Sequence, residues 1–310
     1  MEFCALEQLD PDQASVNQLM RFVVFMYRDT PTKYNAARAA VSALKHYWNE
    51  QGLDFRLNQK SIITRMMKGY RENKPSDSRP TKPFSYFHMM AVRKKGIINT
   101  NTFFGKLCWG SFQVGYFYGG RIGEYSPKSR SEWKFILDRS DVEIIRDNRG
   151  WIKSIIIDFK KHKANRFGLY DAKVAVDCVC GRMDYCPIHE GIWKYIKVRD
   201  YYFGDEPGTP LLMQLNGKPI SQTQIRNLMK NVARALGLNP KFYVPHSLRS
   251  GRCTDLVRAR KPEWAIKKWG RWRSDCWFDH YLKMDASDIA KISSLSYDEL
   301  GIQNSTILRY

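Results

Sequence analysis

The stretch Pro-His-Ser-Leu-Arg-Ser-Gly, residues 245–251, places a histidine and an arginine close together. Pro245 suits the first position of a helix, where its missing N–H is not needed. His246 and Arg249 are three positions apart, so they share one face of that helix. A guanidinium grips two phosphate oxygens, and an imidazole can move a proton. The pattern indicates a phosphate-handling pair, although H-x-x-R also occurs on ordinary solvated helices.

Further residues suited to phosphate chemistry lie on both sides of this pair. Trp272 follows Arg249 by 23 positions, and Tyr281 follows Trp272 by 9. Upstream, Arg121 and Glu124 form an R-x-x-E segment just after an apolar stretch. The order and spacing of these residues, rather than any one of them, indicate a single site. Each also has a simpler interpretation, such as a helix-end charge for the arginine or a core position for the tryptophan.

A lysine-rich turn lies between the R-x-x-E segment and the H-x-x-R segment. Residues 144–146 and 151–159 are predicted strands, and Lys-Lys-His-Lys follows at 160–163. Lys161 is best placed in this turn, and Lys160 and Lys163 are the alternatives.

The set resembles the tyrosine recombinases, or phage integrase family. Their pattern is Arg in R-x-x-E, Lys in a β-turn, H-x-x-R, His or Trp, and then Tyr. Trp in the fifth place resembles the Cre-like catalytic set, and the H-S-L-R-S-G and G-R-W segments are similar to Crypton and DIRS mobile-element recombinases. The resemblance is strong over residues 103–284. It implies these catalytic residues: Arg121, Lys161, His246, Arg249, Trp272 and Tyr281.

The resemblance implies that a tyrosine attacks a DNA phosphodiester and forms a 3′-phosphotyrosyl intermediate without ATP or a catalytic cofactor. Arg121 and Arg249 can neutralise the charge of the transition state without a metal. Tyr281 needs help in losing its proton, since a phenol holds it to about pH 10, and His246 is the natural base. The Trp272 indole can donate one hydrogen bond, and a turn lysine can protonate the leaving 5′ oxygen. Glu124 is expected to orient its basic neighbours.

The charge balance favours double-stranded DNA as the partner. Lys and Arg number 51 and Asp and Glu 31, which gives a net charge of +20. Such an excess indicates a polyanionic partner. Two alternatives share this charge: an enzyme of the type IB topoisomerase kind, which relaxes DNA, and a domesticated DNA-binding protein without catalysis. The complete residue set argues against the second.

The chain is predicted to be mainly α-helical with a small antiparallel β-sheet. A helical core-binding domain is expected over residues 1–74, with helices over 33–51 and 59–70. A basic, proline-containing linker spans 75–83. A mixed α+β catalytic domain is expected over 84–310, with a helix over 103–118 and a possible third strand over 174–176.

Three cysteines and a histidine are close together in the chain. Cys178, Cys180, Cys186 and His189 fall within 12 residues. Thiolates and imidazoles are the ligands that structural zinc prefers, so we consider a structural zinc site, with reduced cysteines in a helix-start loop as the alternative.

The remaining expectations concern cellular context. No apolar run reaches the roughly 18 residues of a membrane span, and residues 1–10 lack the basic start of a secretory signal. An intracellular location follows, in the nucleus for a eukaryotic protein and otherwise in the cytoplasm or nucleoid. The family resemblance implies a homo-oligomer, a dimer on one site and a tetramer in synapsis. The segment 285–300 is a candidate for a C-terminal helix exchanged between protomers.

Overall fold

The structure is a computed structural model. It describes residue 3 and residues 15–52, 60–75, 81–159, 172–181, 185–272, 277–278 and 281–284. The chain divides into two compact units, residues 1–79 and 80–310. The described part is mainly helical with one small antiparallel sheet, which confirms the predicted fold class. No described helix is both long and apolar enough to cross a membrane.

The first unit contains helices α1 (Val16–Arg28), α2 (Tyr34–Glu50) and α3 (Lys60–Asn73). The Ser15 side chain caps α1 by accepting from the Gln18 N–H at 3.1 Å. Tyr70 ties α3 to the α1–α2 connection, donating its hydroxyl to the carbonyls of Met26 and Thr32 at 3.0 and 2.8 Å. The apolar faces meet in one buried cluster, formed by Leu19, Val23, Met26, Ala37, Val41, Trp48, Ile63, Met67 and Tyr70. The predicted helices over 33–51 and 59–70 are confirmed within a few residues.

The second unit contains helices and one three-stranded sheet. Its α-helices and strands are, in order, α4 (Tyr86–Lys94), α5 (Phe103–Tyr116), α6 (Ile122–Tyr125), β1 (Val142–Arg146), β2 (Ile152–Asp158), β3 (Lys173–Asp177), α7 (Trp193–Phe203), α8 (Gln222–Ala235), α9 (His246–Arg258) and α10 (Glu263–Gly270). A π-helical turn, Ile188–Ile192, leads into α7, and short 3-10 turns span Arg130–Phe135, Arg139–Asp141 and Pro240–Phe242.

The sheet has the order β1-β2-β3 and is antiparallel throughout. The first hairpin turns at the predicted position: Asp147 accepts through its carboxylate from the N–H groups of Arg149 and Trp151, both at 2.9 Å. Gly150 completes the turn with a positive φ of 78°. The three predicted strands are confirmed, each with ends that differ by one or two residues.

Two glycines let α9 approach its neighbours closely. A Cβ on Gly115 of α5 would lie 2.9 Å from the Cδ1 of Leu248, and one on Gly251 would lie 2.0 Å from the Phe84 carbonyl oxygen. Asp255 of α9 also accepts from the Tyr86 N–H at 2.7 Å. These contacts hold the helix that carries His246 and Arg249 against the core.

Candidate active site

The chain between α5 and α6 turns sharply at Gly119, whose φ of +61° favours glycine. A Cβ there would meet the Trp269 ring at 2.9 Å, so a side chain would disturb both the backbone and the packing. The turn directs the Gly119 carbonyl oxygen towards two arginines and brings Arg121 to the N-cap of α6. This short segment therefore positions three of the basic groups of the site.

Arg249 is fully buried in α9. Its Nη1 donates to the carbonyl of Gly119 and its Nη2 to that of Gly270. These two carbonyls fix the plane of the guanidinium between the α5–α6 turn and the end of α10. Its Nε is buried without a hydrogen-bond partner among the described residues.

Glu124 links two arginines. One carboxylate oxygen accepts from Arg121 Nη1 at 2.8 Å and the other from Arg271 Nη2 at 2.8 Å. Burial would raise the pKa of this carboxyl, but the positive charges of Arg271, Arg121 and Arg249 outweigh it and hold the pKa below its usual value. The carboxylate stays ionised and orients the basic groups around it, as the sequence predicted.

Arg271 is a site residue that the sequence analysis missed. Only 3% of its side chain is exposed, and its guanidinium stacks on the Phe159 ring at 3.6 Å. It also donates to the Gly119 carbonyl at 2.9 Å. Its backbone is left-handed, with φ 54°, so it caps α10 where a glycine is more usual. The signal in the sequence is its place inside the G-R-W segment, in which only the tryptophan matches a catalytic position of the family pattern.

Tyr281 lies among the residues that the sequence grouped with it. Its ring centroid is 4.6 Å from that of His246 and 4.7 Å from that of Trp272, and the Arg249 guanidinium lies 5.1 Å from it. Burial works against a rise in the pKa of Arg121, but the charges of Glu124 and Tyr281 outweigh burial and raise that pKa. The structure thus brings together five predicted residues: Arg121, His246, Arg249, Trp272 and Tyr281.

Trp272 belongs both to this group and to the local core. It is buried and stacks on Trp277 at 6.0 Å, and it faces the Arg249 guanidinium at 4.6 Å. Its indole Nε1 is buried and lacks a hydrogen-bond partner among the described residues. A buried indole normally donates, so this N–H is available to an additional acceptor.

The site holds three positive charges against one carboxylate. Burial, together with the charges of Arg271 and Arg121, lowers the pKa of Arg249 to about 9. Burial and the charge of Arg121, opposed by Glu124, lower the pKa of Arg271. A guanidinium in a protein keeps its proton at neutral pH, so the cluster carries excess positive charge. An anion placed here would reduce the repulsion between the guanidiniums and accept from the unpaired donors.

The predicted catalytic lysine, Lys161, and its alternatives Lys160 and Lys163 lie outside the described residues. The flanking backbone is described: the Phe159 N–H donates to the Ala172 carbonyl at 3.3 Å. Phe159 is also the residue beneath Arg271. The predicted C-terminal helix over 285–300 also lies outside the described residues.

The four cysteine and histidine residues considered as metal ligands are also brought together. The ligand atoms of Cys178, Cys180, Cys186 and His189 all lie within 4.8 Å of one another. They join the end of β3 to the π-helical turn before α7. A metal bound by these four residues would therefore connect the end of β3 to the start of α7.

Comparison with known proteins gives matches to solved structures. The chain is similar to the XerH site-specific recombinase bound to palindromic difH substrate in a post-cleavage complex, with a TM-score of 0.54 and 12% identity over 92% of this chain and 71% of that one. The chain has the fold of a site-specific recombinase. It is also similar to the Tn1549 transposon integrase in complex with circular intermediate DNA (TM-score 0.49, 13% identity, 92% and 86% covered) and to XerA recombinase (TM-score 0.44, 13% identity, 95% and 87% covered). No family model and no curated protein matches the chain.

The buried Arg271–Glu124 pair is expected to contribute to stability. We expect Arg271→Gly to lower the melting temperature. Glycine suits the left-handed backbone, so any loss of stability would come from removing the Arg271 side chain. Its removal leaves Glu124 with one fewer buried cationic partner. Removing one partner of a buried pair costs about 3–5 kcal/mol.

Arg260 is the matched control, because it has a similar φ of 52° but an exposed side chain. Arg260→Gly should leave the melting temperature close to that of the parent. If the two glycine variants behave alike, the role assigned to the Arg271 guanidinium is wrong.

Proposed function

We propose that this protein is a site-specific DNA recombinase that cleaves and rejoins strands through a 3′-phosphotyrosyl intermediate. The observation that carries the proposal is the position of the Tyr281 ring, 4.6 Å from the His246 ring and 5.1 Å from the Arg249 guanidinium. A phenol among two guanidiniums and an imidazole suits nucleophilic attack on a phosphodiester.

In the proposed cleavage step, the Tyr281 hydroxyl oxygen attacks the scissile phosphorus. A phosphotyrosyl bond forms, the bond from phosphorus to the 5′ oxygen breaks, and that oxygen leaves with a proton as a 5′ hydroxyl. Rejoining is the reverse attack by a 5′ hydroxyl, which can belong to another strand. The bond energy stays in the phosphotyrosyl link, so the exchange needs no ATP.

The other residues are assigned by what they contact. His246, ring to ring with Tyr281 at 4.6 Å, receives or relays the phenol proton. Arg121 and Arg249 neutralise the nonbridging oxygens, and the unpaired indole N–H of Trp272 supplies a further donor. We assign protonation of the 5′ oxygen to Lys161, which follows Phe159 by two positions in the sequence.

We assign no cofactor to the reaction and expect cleavage to continue in excess EDTA. The guanidiniums supply the positive charge that a Mg²⁺ ion supplies in metal-dependent nucleases. Single-turnover cleavage of labelled duplex, with and without EDTA, measures this directly. A rate that falls to background in EDTA and returns with Mg²⁺ would contradict the assignment.

The proposed partner is duplex DNA, and the net charge of +20 supports it. We assign DNA binding to both a core-binding domain over residues 1–74 and a catalytic domain over 84–310, joined by the basic linker 75–83. By analogy with the family, the active assembly is a dimer on one site and a tetramer in synapsis. Because the proposed substrate is DNA, the proposed location is the nucleus for a eukaryotic protein and otherwise the cytoplasm or nucleoid.

A two-step experiment tests this function. First, duplexes that bind the non-cleaving Tyr281→Phe variant are selected from a random library. The parent protein is then incubated with these duplexes, and the products are separated on denaturing gels. We expect a covalent protein–DNA band and joined products that combine two input duplexes. Covalent bands with relaxation of supercoiled plasmid but no exchange between duplexes would instead indicate a topoisomerase.

A further inference from the structure

A second cluster of reactive side chains lies in the loop between β3 and α7. Cys178 directly follows β3, with its N–H donating to the Lys153 carbonyl of β2 at 2.8 Å. Cys180 is two positions further on and is exposed, whereas Cys186 is buried at the edge of the core. His189 lies in the π-helical turn that leads into α7. The four residues come from two parts of the chain and meet at one point.

The separations of the ligand atoms fit a tetrahedral metal. His189 Nδ1 lies 3.3 Å from the sulfur of Cys178, 3.3 Å from that of Cys180 and 3.6 Å from that of Cys186. The sulfurs of Cys178 and Cys186 are 3.8 Å apart. Zinc bonds of about 2.3 Å to sulfur and about 2.0–2.1 Å to nitrogen predict about 3.8 Å between sulfurs and about 3.5 Å from sulfur to nitrogen.

Hydrogen bonding and oxidation explain the cluster less well. One imidazole nitrogen carries either a single proton or a single lone pair, so it cannot be properly bonded to three thiols at once. A disulfide needs sulfurs about 2.05 Å apart, and the 3.8 Å between Cys178 and Cys186 is too long. A cation between the four atoms satisfies all of them together.

We propose that Cys178, Cys180, Cys186 and His189 bind one structural zinc ion. Three thiolates and an imidazole nitrogen select zinc over Mg²⁺ or Ca²⁺, which prefer oxygen ligands. All four positions are filled by the protein, which is typical of structural rather than catalytic zinc. The site does not rest on the recombinase proposal, since none of its ligands is among the proposed catalytic residues.

The zinc ion connects the sheet to the helical part of the second unit. β3 pairs with β2 from Asp158↔Lys173 to Ser154↔Asp177, and Cys178 continues from its end. On the other side, Glu190 pairs with Arg93 of α4, and a Cβ on Gly191 would lie 2.8 Å from the Gln113 side chain of α5. Metal loss should therefore loosen the end of β3 and the start of α7 together.

Metal analysis of the full-length protein, purified without chelators, tests the proposal. We expect about one zinc per chain, and a content near zero in Cys180→Ser, whose exposed sulfur makes it the least disruptive ligand change. Cys108→Ala, a buried cysteine of α5 outside the cluster, should keep its zinc. Circular dichroism checks that each variant is folded.

A cobalt exchange of the parent protein keeps the test decisive if Cys180→Ser fails to fold. Tetrahedral cobalt bound to thiolates gives intense visible bands, whereas cobalt bound by oxygen ligands gives weak ones. Folded parent protein without bound metal, weak cobalt bands, or iron in place of zinc at the same stoichiometry would overturn the proposal. Retention of zinc in folded Cys180→Ser would also overturn this ligand set.

Discussion

Tyr281→Phe should abolish the covalent protein–DNA complex while leaving DNA binding almost intact. The change removes the one hydroxyl that the mechanism uses as nucleophile and keeps the ring that packs against His246 and Trp272. Loss of one hydroxyl contact to the DNA costs about 1 kcal/mol, so affinity should change by less than about tenfold. Denaturing gels measure the adduct, and gel shift measures binding.

Tyr243→Phe is the control for this change, because Tyr243 is a tyrosine of the same unit that packs on Phe84 and His88 instead. It should retain the covalent complex. An adduct that survives in Tyr281→Phe, or disappears equally in Tyr243→Phe, would show that another residue is the nucleophile.

Arg121→Ala should lower the cleavage rate by at least about 10²–10³-fold, the usual cost of removing one donor to a transition-state oxyanion. Binding should fall far less, since many other basic residues can contact the DNA backbone. About a quarter of the Arg121 side chain is exposed, and Glu124 keeps its ion pair with Arg271, so removing Arg121 should cost less stability than removing Arg271. Single-turnover rates on a bound duplex measure the effect.

Arg249 needs the milder change to lysine. Its guanidinium donates to the carbonyls of Gly119 and Gly270. Alanine would remove the donor to Gly270 at a cost of about 1–3 kcal/mol, whereas Gly119 keeps its bond from Arg271. Arg249→Lys keeps the charge but loses the fork that reaches two acceptors. We expect a rate loss comparable to that of Arg121→Ala with a smaller loss of stability.

Two controls separate charge neutralisation from folding. Arg139→Ala removes a cation that is paired with Asp200 at 3.0 Å outside the site, and it should cleave at a near-normal rate. A substrate with a neutral methylphosphonate at the scissile position has less charge to neutralise, so the defect of Arg121→Ala should shrink on it. An unchanged defect on that substrate, or near-normal cleavage by Arg121→Ala, would contradict the role of the arginines.

The sequence predicted the fold class and most elements because local patterns determine them. The helix over 103–118 follows from one apolar stretch, and the hairpin at 147–150 follows from turn residues that satisfy their own backbone. Strand and helix ends differ by one to three residues, since end positions depend on caps such as Ser15 rather than on periodicity.

The members of the candidate site were also predictable, but the hydrogen bonds and ion pairs between them were not. Arg121, His246, Arg249, Trp272 and Tyr281 were found by order and spacing, and the structure places them side by side. The role of Arg271 depends on a left-handed backbone and on contacts with Glu124 and Gly119, residues 147 and 152 positions away. No local pattern encodes such distances. The sequence also does not show which carbonyls accept from Arg249, because every residue has a backbone carbonyl.

The central claim is that Tyr281 becomes joined to DNA through a 3′ phosphate. The most direct measurement uses a duplex with a nick close to the cleavage position, so that the short 5′-hydroxyl strand diffuses away and the intermediate accumulates. The adduct is then digested with protease and nuclease, and the modified peptide is sequenced by mass spectrometry. We predict a nucleotide 3′-phosphate on Tyr281. A phosphonucleotide on any other residue, or a 5′-linked nucleotide on Tyr281, would contradict the account.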